Sequence, residues 1–248
     1  MTSTPSVVLI HGLFGHLNDS AILQSINNTT VIAPDLLGYG ANAESIPTAL
    51  TLQHQADYIA QIIEEQNFGK VHLVGHSVGG AVAVLTASKH PELVASVTSI
   101  EGNFTLKDAF WSAQVAKKEV SEVEAMVADY RSNPEAWIAD AGVPINDWTS
   151  AVARSWLAFQ TASTVRAQAA AVVEATANTD YLESVQNLLS STTPFHLIAG
   201  EHSRAGWDVP EWVSQQATSE QVIPNTGHLM MLESPQEFGA AVVAALSQ

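Results

Sequence analysis

Apolar and polar positions alternate in blocks along this chain. Short apolar runs of strand length, bounded by turn-forming residues, occur at 6–10, 29–33, 71–74, 94–100, 194–199 and 220–223. Between them lie stretches with helical spacing. In 52–66 the residues Leu52, Ala56, Ile59, Ile62 and Ile63 recur at helical intervals, and Asn67 and Gly69 close the helix. Residues 18–25 read as a short helix capped by Asp19 or Ser20, 81–89 as a small-residue helix stopped by His90-Pro91, and 235–246 as a last helix. Strands alternating with helices predict an α/β fold: a mostly parallel sheet of about six strands, flanked by helices on both faces.

The pattern changes over residues 104–190, where helical periods run on without a strand. Candidate helices are 106–119, 121–130, 134–139, 148–158 and 165–176. This block is expected to be a helical lid inserted after the fourth strand, over the strand C-terminal ends where such sheets bind ligands. The division is then 1–103 and 191–248 for the core and 104–190 for the lid, with Gly102 and the turn near 190–193 as candidate hinges. Trp111, Trp137, Trp148 and Trp156 fall in the lid, where each could equally hold its small core or line a site.

One junction carries chemistry. The apolar run at 71–74 leads into Gly75-His76-Ser77-Val78-Gly79 and then a small-residue helix. Strand, sharp turn, helix is the context in which Gly-x-Ser-x-Gly forms a nucleophile elbow. A serine at such a tip sits in strained backbone, and glycines two before and two after it let strand and helix approach closely. A second glycine-rich loop, His11-Gly-Leu-Phe-Gly15, follows the first strand and can turn backbone N–H groups toward a ligand.

Composition narrows the partners. Nine Lys and Arg against 25 Asp and Glu give a net charge of −16, which repels phosphate backbones and anionic lipid. Nucleic acid and membrane are therefore not expected as partners; a small-molecule substrate is. No cysteine is present, so thiol catalysis is excluded. No cluster has metal-ligand spacing and no phosphate loop occurs, so no cofactor or metal is expected. The first residues lack a basic region and 7–10 is too short for a signal core, so a cytoplasmic protein is expected.

Taken together, His11-Gly12 after the first strand, Pro34-Asp35 with Gly38-x-Gly40, Gly75-His-Ser-Val-Gly79 and Asn225-Thr-Gly-His228 resemble the α/β-hydrolase superfamily over nearly the whole chain. Glu101-Gly-Asn103 with Asp108 and Ser112 is similar to a branch of lidded serine hydrolases. The resemblance implies a sheet shortened by two antiparallel strands, and a triad in the order serine, acid, histidine. Ser77 is then the nucleophile and His228, in a loop after the last strand, its base; His202 is the rival base. The superfamily's usual acid position reads Gly200-Glu-His-Ser203, with a serine where an aspartate is expected. Some branches carry the acid one strand earlier, which points to Glu101, with Glu201 and Asp208 as rivals; Glu101 could instead cap the first lid helix. The backbone N–H groups of Leu13 and Val78 are the expected oxyanion donors. Asp35 more commonly holds its own turn in this pattern.

Serine at the elbow argues against the dehalogenase and epoxide hydrolase chemistries of the superfamily, which use a carboxylate nucleophile. The expected function is a serine esterase cleaving a small carboxylic ester through an acyl-serine intermediate. Lactone, thioester or carbon–carbon bond hydrolysis, an acyltransferase or lyase on the same residues, and a ligand receptor on the same fold are the alternatives.

Overall fold

The computed structural model describes residues 4–248. The leader reading therefore rests partly on residues outside those described. Six strands form one sheet in the order β2-β1-β3-β4-β5-β6, and every neighbouring pair is parallel. The chain begins with β1 (Ser6–Ile10), α1 (Ser20–Ser25), β2 (Thr30–Ile32), α2 (Leu52–Gln66), β3 (Val71–His76), α3 (Val78–Lys89) and β4 (Val94–Ile100). Six helices follow: α4 (Phe110–Ala116), α5 (Val120–Ser132), α6 (Pro134–Asp140), α7 (Asp147–Ala158), α8 (Ala162–Ala177) and α9 (Thr179–Leu189). The chain returns through β5 (Phe195–Gly200), α10 (Glu211–Gln216), β6 (Ser219–Ile223), α11 (Met230–Glu233) and α12 (Pro235–Leu246).

The strands read as near-continuous apolar runs because both faces of the sheet are covered. Val8, Ile10, Leu73, Val97 and Leu197 share a core with residues of α2, α3 and α9. Val7, Leu9, Val74, Ile100 and Ile198 share the opposite core with residues of α1 and α12. Local signals explain the helix ends. The Asp19 side chain accepts from the Ala21 N–H, and Thr51 with His54 forms a capping box on α2. Asn67 closes α2 in the left-handed region at φ 53°.

Two features of the β4-to-β5 connection bear on the site. Within the β4-to-β5 connection α9 packs on α3, and its Tyr181, Val185 and Leu188 share the core of that sheet face with Val115 of α4, Val127 of α5 and Val165 of α8. Residues of α8 and of the loop before it touch the loops that follow β1 and β2, with the Gln160 side chain accepting from Gly15 N–H at 2.9 Å and Thr164 donating to Gly38 O at 3.0 Å. Gly102, a candidate hinge, is closely packed. Its carbonyl accepts from Trp207 Nε1 at 2.7 Å, and a Cβ there would fall 2.8 Å from Gly80 Cα. Among the described residues no helix is long and apolar enough to cross a membrane.

Candidate active site

Ser77 follows β3 and stands at the N-cap of α3, with φ 55° and ψ −122°. L-residues avoid this region at a cost of about 1–3 kcal/mol, so the surrounding packing must enforce it. The enforcement is visible. A Cβ at Gly75 would fall 2.1 Å from Gly79 O, and one at Gly79 would fall 2.2 Å from Ile10 O. Strand and helix therefore meet at backbone distance, and only glycine fits at either position. Ser77 N–H bonds Ile100 O at 2.9 Å, which ties the turn to the end of β4.

Glu101 follows directly on β4, also at positive φ, 42°. Its side chain is 4% exposed and turned inward. One oxygen, Oε2, lies 2.7 Å from His228 Nδ1. The other, Oε1, accepts from Gly200 N–H at 2.9 Å and from Ser203 Oγ at 2.5 Å. Burial pushes this carboxyl up, but the bonds from His228, Ser203 and Gly200 outweigh it and hold its pKa below the ordinary value. Glu101 is thus an ionised, fully engaged carboxylate that orients one imidazole.

His228 lies in the loop between β6 and α11, and that loop is fastened on several sides. Glu201 accepts from Asn225 N–H at 2.8 Å, and Glu233 accepts from Gly227 N–H at 2.9 Å. His76 Nε2 donates to His228 O at 2.9 Å, and the two rings lie 4.6 Å apart. Burial, and then the neighbouring His228, depress the His76 pKa to about 3, so this ring stays neutral. A neutral imidazole bonding a carbonyl through Nε2 must carry its proton there. The His228 side chain is 44% exposed, and Nε2 is without a hydrogen-bond partner among the described residues.

The loop after β1 comes to the same place. A Cβ at Gly12 would fall 3.1 Å from Ser77 Cβ. His11 fixes the peptide that joins Gly12 to Leu13. Its Nε2 accepts from Leu36 N–H at 3.2 Å, so the proton sits on Nδ1, which donates to Gly12 O at 2.8 Å. Burial lowers its pKa to about 4, which preserves this tautomer. In a trans peptide the N–H of Leu13 then points away from His11. Tyr39 OH donates to Leu13 O at 2.9 Å and fixes the next peptide plane.

A family model described as the alpha/beta hydrolase family matches residues 7–241. The chain belongs to the alpha/beta hydrolase family. Similar proteins include ethanol acetyltransferase 1 of Eremothecium cymbalariae, 33% identical over 103 residues, covering 40% of this chain and 28% of that protein. Lipase 1 of Psychrobacter immobilis is 28% identical over 113 residues, covering 45% of this chain and 34% of the lipase. The matched stretch spans about a third of each of these relatives. Among solved structures, a carboxylesterase from Nitrososphaera gargenis superposes with a TM-score of 0.74 at 20% identity, covering 98% of this chain and 90% of that one. At that identity the likeness shows the fold.

Within this alpha/beta hydrolase the sequence-predicted residues fall into two groups. Ser77, Glu101, His228 and the Leu13 and Val78 peptides gather around the ends of β1, β3 and β4. The rivals are engaged elsewhere: Glu201 on Asn225, and Asp208 on Thr105 Oγ1 at 2.6 Å. Asp35 holds its own turn, accepting from Ala41 N–H at 2.9 Å. Three contributors escaped the sequence pattern. The His11 and His76 bonds link distant loops, and Ser203, which stands where an aspartate is expected, supplies a donor to Glu101. The histidine beside each glycine motif was a signal for the first two; nothing local marked Ser203.

Proposed function

We propose that this chain is a serine hydrolase that cleaves a small carboxylic ester through an acyl-serine intermediate. The observation that carries this reading is the Glu101–His228 pair at 2.7 Å, lodged beside the strained serine turn. A buried carboxylate on Nδ1 fixes the imidazole tautomer and leaves Nε2 as the base. His228 Nε2 takes the Ser77 proton as Oγ attacks the ester carbonyl. The N–H groups of Leu13 and Val78 hold the oxyanion. On collapse the alcohol leaves with the proton from His228. Water then repeats the sequence against the acyl-serine and releases the acid. Glu101 stays ionised throughout and stabilises the imidazolium between steps.

The test uses short-chain p-nitrophenyl esters together with a serine-directed fluorophosphonate. The wild-type protein should turn over esters and take one label on Ser77. Ser77→Ala should lose both. A folded protein that neither hydrolyses nor takes the label would overturn the assignment.

The match to an alcohol acetyltransferase favours a second reading, in which an alcohol replaces water in the second half-reaction. Adding ethanol to the ester assay separates the two, because an acyltransferase partitions the acyl group into ethyl ester.

A further inference from the structure

Two of the four tryptophans of the helical insertion are structural. Trp156 is buried against Gly15, and Trp148 Nε1 bonds the Asp19 carboxylate at 3.3 Å. The other two behave differently. Trp111 of α4 and Trp137 of α6 both meet Phe14, with ring centroids 5.4 and 5.8 Å away, and Tyr130 of α5 meets it at 6.3 Å. All four rings are only half-buried, whereas the core aromatics Tyr39, Phe104, Phe195 and Phe238 are fully enclosed. Phe14 is the residue after Leu13. The end of α6 adjoins the His228 loop, since a Cβ at Gly227, next to His228, would lie 3.9 Å from Ala141 O just beyond that helix. The half-buried cluster thus adjoins the Leu13 loop through Phe14, and the helix that carries Trp137 ends against the His228 loop.

From this geometry we infer that Phe14, Trp111, Tyr130 and Trp137 bind an aromatic ring of the ester substrate, making the preferred substrate an arylalkyl ester. The inference rests on the esterase reading above. The ring spacing decides the chemical class. Phe14 meets its three neighbours at 59–69°, tilted to edge-on, at distances typical of packed aromatic pairs. A cage for a quaternary cation needs ring faces standing open around a void, whereas here Phe14 packs tilted to edge-on against each of the other three rings. A further ring can extend the cluster by the same edge-to-face contact, which a saturated ring of equal size lacks.

The experiment compares benzyl acetate with cyclohexylmethyl acetate, and methyl phenylacetate with methyl cyclohexylacetate, so that each pair holds the ester chemistry nearly constant. In at least one pair the aromatic member should have kcat/KM about three- to tenfold higher, the size of an aromatic pair contact. Trp137→Ala and Trp111→Ala should bring that ratio to about one, and Trp137→Phe should keep most of it. Tryptophan fluorescence titrated with benzyl alcohol and with cyclohexylmethanol supplies a reading independent of turnover and of any variant. Tighter binding of benzyl alcohol is expected. Ratios near one in both ester pairs with equal binding of the two alcohols overturn the inference while leaving the esterase intact. A ratio that survives both alanine variants overturns it too. Absence of all hydrolysis and of Ser77 labelling overturns the esterase reading instead, and the fluorescence titration then decides the aromatic site alone.

Discussion

At the scale of single residues, the site is a set of side chains each made to serve one purpose by its hydrogen bonds. Glu101 has both oxygens engaged, so its amide would keep the shape and lose the charge. Glu101→Gln should lower kcat by about 10³–10⁴, the cost of losing the tautomer and imidazolium support, with little change in Tm. Near-native turnover would remove Glu101 from the mechanism. His76 makes a second prediction, since it touches the base loop through one N–H. His76→Phe keeps the ring and drops the donor, so kcat should fall roughly tenfold or more with KM nearly unchanged. His76→Gln can place an amide N–H near the same carbonyl and should recover much of that loss. Equal rates in the two variants would show that the bond does not position His228.

At the scale of elements, the junction between β4 and α4 carries an unusual charge. The Asp108 carboxylate accepts from Phe104 N–H at 2.9 Å and from Asn103 Nδ2 at 3.3 Å. Burial nevertheless raises its pKa to about 6, helped by the nearby Asp208. The folded state therefore holds a proton on Asp108 at pH values where the unfolded chain has released it. Its contribution to stability grows as pH falls from about 6 toward the ordinary value of 3.8. His11 and His76 act oppositely, because the unfolded chain binds their protons from pH 6.5 downward and the folded state does not. Asp108→Asn removes only the first effect. Its Tm, measured against wild type, should be higher relative to wild type at pH 7.5 than at pH 5. A constant difference would mean that Asp108 does not titrate in this range.

Legibility in the sequence also divides along elements. The strands announced themselves because burial on both faces demands uninterrupted apolar runs, as in residues 94–100. The spacing of Leu52, Ala56, Ile59 and Ile63 gave α2 to the residue, since one face packs on the core. The short α10 and α11 carried too few turns to show a period, and tertiary contact rather than propensity holds them. The serine turn was legible because sterics leave glycine no substitute there. The acid was legible only as a choice among three carboxylates. Pairing with His228 depends on where two strand ends meet, which no local pattern encodes.

At the scale of the whole molecule, the charge of −16 is the dominant long-range feature. Scattered surface pairs among the described residues offset it in part, such as Lys89–Asp57 and Arg204–Glu220, both at 2.6 Å. Self-repulsion should destabilise the compact state most at low ionic strength. Tm should therefore rise between about 10 mM and about 150 mM salt, where the screening length shortens to roughly 8 Å. A flat profile would indicate that the acidic groups are too dispersed to repel one another appreciably.

The three residues after β4 have a practical consequence for protein engineering. Glu101 N–H bonds Ile198 O at 3.0 Å, Gly102 O is held by Trp207, and Asn103 O accepts from Tyr181 OH at 2.7 Å. This short tether is riveted to the scaffold at each successive peptide. Anyone transplanting the α4–α8 block from a relative to change selectivity has a natural splice point just beyond Asn103. A cut one or two residues earlier would unseat the carboxylate along with the graft.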